Sequence, residues 1–164
     1  MKKLALLFLL FAFISSSFGQ EKKLLKILNQ ELKKEVKNQV QSKNFNGDTL
    51  VILKPFTINE QKILSFEVRK SNYYQEGYEI ITQEIPLNKI TAIGKDIQVF
   101  FQTSDNSVIT ITKKVAKNIN TNTEKGNFFQ LFLFIEKQNE KLGINLQNAL
   151  LKTGIKVDKE YWYD

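Results

Sequence analysis

Tyr73, Tyr74 and Tyr78 lie within six positions of one another, on a loop and at the start of the predicted strand after it. Rings placed this way can stack on sugars, lipids or peptides while the hydroxyl keeps a polar handle. The same rings also suit packing beneath the loop, and both uses stay open. Four carboxylates, Glu67, Glu76, Glu79 and Glu84, lie close by in sequence. Glycoside hydrolysis would need two of them facing each other across a sugar cleft. Glu67 falls on the outer side of a predicted strand and the others alternate with apolar residues, which is the pattern of a solvated sheet face. Asp105-Asn106, set between two serines, could offer oxygens to Ca²⁺. No EF-hand spacing follows it, and Asp-Asn is ordinary turn chemistry, so no metal site is expected.

The missing residue types exclude more. The 164 residues contain no His and no Cys, so a Ser-His-Asp triad, a Cys-His pair and imidazole or thiolate metal ligation are all ruled out. There is no disulfide, so the fold must rest on its core. No Gly-rich phosphate loop and no nucleophile elbow occurs. Neither an enzyme nor a cofactor is expected.

The positive charge is local. The formal charge is +7, and residues 21–43 alone carry seven Lys against Glu21, Glu31 and Glu35. Leu25, Leu28, Leu32, Val36 and Val40, with Leu24 beside them, recur at helical spacing and predict an amphipathic helix over 21–43. Lys23, Lys26, Lys33, Lys34 and Lys37 fall on the opposite face. The stripe is expected to pack on a sheet, leaving the lysines solvated or facing anionic lipid or polysaccharide. Arg69 is the only Arg, and Arg is the residue suited to bidentate phosphate and base recognition, so nucleic acid is not an expected partner.

Residues 1–19 read as a cleaved secretory signal: Lys2 and Lys3, an apolar run of 11 residues from Leu4 to Ile14, then Ser17 and Gly19 before Gln20. That run falls short of the roughly 20 residues a membrane helix needs. The mature chain is therefore expected to lack a transmembrane segment and to be periplasmic or extracellular.

One domain over 20–164 should follow, with a sheet over 48–135, a closing helix over 139–153 and an aromatic tail over 155–164. Thr49–Leu53 reads as a strand ended by Pro55. Ile63–Arg69 alternates so that Leu64, Phe66 and Val68 face inward, and Tyr78–Ile85 and Ile90–Ile93 follow as strands. Ile97–Thr103 and Val108–Lys113 alternate on either side of Ser104–Ser107. Period-two patterning across a short turn predicts an antiparallel hairpin at the centre of the sheet, with Ile97, Val99, Phe101, Ile109 and Ile111 inward. Residues 116–127 read as a polar loop; in Phe128–Ile135 periodicity does not separate a buried strand from a helix start, and the aromatic content and Gly126 favour the strand. Leu142, Leu146, Ala149 and Leu150 share a helix face; Gly143 is expected to delay the stable helix to about Ile144, and Gly154 to end it.

The expected class is α+β: an N-terminal amphipathic helix, about six antiparallel strands in a curved sheet or partial barrel, and a C-terminal helix. The Ile85-Pro86-Leu87-Asn88-Lys89-Ile90 element, the hairpin after it and the strand leading into a C-terminal helix resemble pleckstrin-homology-like domains of small exported bacterial proteins. A cystatin-like helix gripped by a sheet is the alternative. The resemblance implies binding of lipid, peptide or protein. The expected function is a non-catalytic exported binding module, with an envelope-associated structural or assembly protein using its lysine face as the alternative.

Overall fold

The computed structural model describes residues 2–42, 45, 47–71 and 76–163, with side chains from residue 19 onward. Helix α1 spans Lys2–Asn38 and tightens into a 3-10 turn at Gln39–Gln41. Leu24, Leu28 and Leu32 are fully buried, the apolar stripe that the spacing predicts. The helix stops before residue 43, and Val40, expected on the stripe, is 59% exposed. The 3-10 turn, with three residues per turn, rotates Val40 out of the row.

Among the described residues nine strands and a second helix follow: β1 Thr49–Ile58, β2 Ile63–Ser71, β3 Tyr78–Pro86, β4 Ile90–Lys95, β5 Val99–Thr103, β6 Val108–Val115, β7 Ile119–Gly126, β8 Phe128–Gln130, α2 Glu140–Lys152 and β9 Asp158–Trp162. The class is α+β, as expected. The strands form two sheets rather than one, ordered β1-β2-β3-β6-β7 and β8-β5-β4-β9. All pairs are antiparallel except β4 with β9. The core sits between the sheets, where Phe66 meets Phe56 at 4.4 Å and Phe129 at 5.4 Å between ring centroids.

The expected central hairpin is not there. β5 pairs with β4 and β8, β6 pairs with β3 and β7, and the turn at 104–107 crosses from one sheet to the other. Alternation reports which residues share a face, not which strand lies alongside. Val99 and Phe101 are buried, but so is Phe100 between them, so β5 is covered on both faces where a hairpin arm would show one to water. Ile97 precedes the strand in the β4–β5 turn and is 78% exposed. Ile109 and Ile111 are half-buried on the outer face of the five-stranded sheet.

Three further expectations are corrected. β1 runs through Pro55, with register shifts on either side of Lys54; an edge strand tolerates a proline because one side of its ladder is unpaired. Residues 119–126 are a strand although Ile119 to Lys125 are all exposed. The Phe128–Ile135 run forms regular strand only to Gln130, because Phe132 adopts a left-handed backbone (φ 54°) and bulges out between two bonds to Val99.

α2 begins at Glu140 despite Gly143, which serves as the seat of the Trp162 ring: a Cβ there would lie 2.7 Å from it. Gly154 (φ 87°) ends the helix, with its N–H donating to Leu151 O at 3.0 Å and that of Ile155 to Leu150 O at 3.1 Å, the paired bonds of a Schellman ending. The aromatic tail docks as β9. Among the described residues no helix is long and apolar enough to cross a membrane.

Candidate functional site

The inward row of β2 runs Leu64, Phe66, Val68 and then Lys70, whose cross-strand neighbour on β1 is Leu50. Period-two register thus puts an ammonium where the core ends. Opposite, α1 does something similar. After Leu24, Leu28 and Leu32, the next residue on the buried side is Glu35, itself buried.

Glu35 is satisfied by backbone. Its Oε1 accepts the N–H of Phe134 at 2.9 Å and that of Ile135 at 3.0 Å. Burial raises its pKa above the ordinary carboxylate value; the two N–H groups act against that, the nearby Glu136 adds to it and Lys95 opposes it. The segment 131–139 is therefore held on α1 by a carboxylate, and it is fastened elsewhere too. Lys34 pairs with Glu136 at 2.6 Å, which raises the Lys34 pKa. Lys95, only 2% exposed, donates to Glu136 O at 2.8 Å and to Asn139 Oδ1 at 3.0 Å. The Trp162 indole donates to the same Asn139 oxygen at 2.9 Å. Gln98 Oε1 accepts the Phe132 N–H at 3.1 Å.

Above this floor lies a groove of about 410 Å³ between the end of α1, β1 and residues 132–137, within the ordinary range of small-molecule sites. Phe45, Phe134 and Ile97 line it and all three are exposed; such a gathering of large apolar side chains marks a binding surface more often than scattered ones do. Phe132 and Leu50 form its buried base, and Lys70 and Lys137 line it as well. The arrangement can bury an apolar group. Its two carboxylates are engaged: Glu35 accepts two backbone N–H groups, and Asp48 has a partner within the protein.

Tyr73 and Tyr74 lie outside the described residues. Tyr78 is half-buried at the start of β3, under the Arg69 guanidinium at 5.4 Å. It lines a second cleft of about 220 Å³, which Lys70 borders as well. Glu76 and Glu79 share that cleft, opposed by Lys117 at 3.9 Å and Lys114 at 3.1 Å respectively. Glu67 faces outward to Lys54 and Thr82. Lys23, Lys26, Lys33 and Lys37 are exposed and make no ion pair among the described residues, whereas Lys34 is taken by Glu136; none of the five lines the groove. Asp105 accepts from the Ser107 hydroxyl and pairs with Lys89 at 2.9 Å, contacts that hold its pKa below the ordinary value. No group of three His, Cys, Asp or Glu that could hold a metal ion occurs among the described residues.

Sequence reasoning misses these groove residues: Glu35 reads as one more charge of the lysine-rich helix, and Lys70 lies one residue beyond the strand predicted over Ile63–Arg69. No family model, curated protein or solved structure matches the chain.

Proposed function

We propose that the protein is an exported, non-catalytic binding module whose ligand site is the groove between α1, β1 and residues 132–137. The observation that carries this reading is the gathering of exposed Phe45, Ile97 and Phe134 above a floor whose polar groups are bonded within the protein. A pre-organised apolar surface of this kind favours binding, because little ordering is left to be done. The groove takes precedence over the tyrosine loop because Tyr78 is already engaged with Arg69. The pleckstrin-homology-like relationship belongs to the same proposal, supported by two sheets of mostly antiparallel strands and a C-terminal helix packed against β4 and β9.

The test uses N-phenyl-1-naphthylamine, a neutral apolar fluorophore. The mature chain should bind it, and Phe134→Ala should weaken binding about tenfold, as loss of a buried aromatic anchor does. An unchanged affinity would sink the groove as the site. Export is checked separately by sequencing the N-terminus of protein recovered outside the inner membrane, which should begin at Gln20. Glu21, one residue further on, pairs with Lys62 at 2.7 Å and so holds the first turn of that mature chain to the body.

A second reading rests on the lysine face, where Lys23, Lys26, Lys33 and Lys37 stand exposed on one side of α1. In it the protein lies against anionic lipid or polysaccharide as an envelope component. Co-sedimentation with vesicles containing anionic phospholipid should then occur at low salt and fade as salt rises toward 0.5 M, where exposed charges are screened within about 4–5 Å. Binding insensitive to salt would exclude it.

A further inference from the structure

We infer that the groove takes a free single-chain amphiphile with an anionic head, its apolar chain against Phe45, Ile97 and Phe134 and its head between Lys70 and Lys137. This rests on the groove being the ligand site, and adds the class of ligand.

The charges around the groove make the choice. Glu35 accepts the N–H groups of Phe134 and Ile135, and Asp48 has a partner within the protein. Lys70 and Lys137 have no ion-pair partner among the described residues. Glu79, the cross-strand neighbour of Lys70 on β3, is bonded to Lys114 at 3.1 Å instead. An apolar ligand seated here strips water from the inward-facing Lys70. A desolvated ammonium is costly unless an anion arrives with the ligand. A neutral or cationic ligand leaves that cost standing, and a carboxylate or sulfonate head removes it.

The backbone argues against an extended peptide. A peptide docks on such a surface by adding a strand to free N–H and C=O groups. At this groove five of those groups are already used. The Leu50 N–H and C=O are bonded to the Gln39 amide at 2.7 and 3.0 Å, the Phe132 N–H goes to Gln98, and those of Phe134 and Ile135 go to Glu35. Beside Ser42, Asp48 and Thr49, the lining offers apolar surface and two ammonium groups without an ion-pair partner among the described residues, which is the complement of an acyl anion.

The experiment is calorimetric titration of the mature chain with dodecanoate and with dodecyltrimethylammonium, both kept below their micelle concentrations. One dodecanoate per chain is expected, with the cation at least tenfold weaker. Lys70→Gln and Lys137→Gln should each weaken dodecanoate about two- to fivefold, the scale of a partly exposed ion pair. Lys156→Gln, an exposed lysine remote in sequence from the groove, should leave it unchanged. Lys137 is exposed, so its variant tests the head-group contact even if Lys70→Gln perturbs the fold. Equal affinity for the two amphiphiles overturns the anionic class; if the neutral fluorophore still binds in a Phe134-dependent way, the groove reading survives. Loss of all three ligands overturns both. A dimer that Phe134→Ala dissociates would make the occupant a second copy of the chain and also overturn the inference.

Discussion

Glu35 shows how one side chain can be placed against its own ionisation. Burial outweighs its two backbone donors and raises its pKa above the ordinary 4.5, so the folded chain holds this proton more tightly than the unfolded chain does. Ionising it therefore costs stability. The cost is absent below the unfolded value, grows as pH rises between the unfolded and the raised folded value, and is complete above the latter. Glu35→Gln retains an oxygen for the Phe134 and Ile135 N–H groups and carries no charge. Denaturant unfolding across pH should show the variant gaining on wild type from about pH 4 upward and then holding level; a difference constant in pH would refute this account. Gly143 makes the complementary case. The ring that fills its missing Cβ is fixed through the Trp162 indole on Asn139. Gly143→Ala should cost about 1–3 kcal/mol, as overpacking does, read as a lower thermal midpoint.

Among the elements, α1 acts as a surrogate strand. β1 is an edge, and edges left bare invite pairing with other chains. Two amides, one from α1 and one from the 3-10 turn after it, cover it: Asn29 exchanges bonds of 2.9 and 2.8 Å with the C=O and N–H of Phe56, and Gln39 does the same for Leu50. Asn29→Ala strands two backbone groups and should cost about 2–6 kcal/mol in urea unfolding, at about 1–3 kcal/mol for each unsatisfied group. Asn29→Asp keeps the acceptor and should cost less. The sequence shows such elements unevenly. Leu64, Phe66 and Val68, or Leu142, Leu146, Ala149 and Leu150, announce themselves because one face is dry and the other wet. β7 does not, because with both faces in water Ile119-Asn120-Thr121-Asn122-Thr123 carries no hydrophobic period. The 97–111 region is legible as strands yet silent about partners, which are chosen by packing across the two sheets. Glu35 and Lys70 read as surface charges for want of any local sign that a stripe or an inward row continues through them.

At the scale of the whole molecule, stability is graded. The Phe66, Phe56 and Phe129 cluster joins the two sheets, and β7 projects beyond it with no buried residue from Ile119 to Lys125. Amide exchange should be fast over 119–125 and slow over 64–68, because opening energy follows buried contacts; equal protection would show that the β6–β7 arm opens only with the core. A different consequence follows from β9. It lies parallel to β4, pairing Ala92 with Asp158, while the Tyr163 N–H donates to Lys95 O at 3.0 Å. Pairing across so long a stretch of chain is slow to form. A ribosome must therefore finish residue 162 before the second sheet can close, and until then the β4 side of that sheet is an open edge.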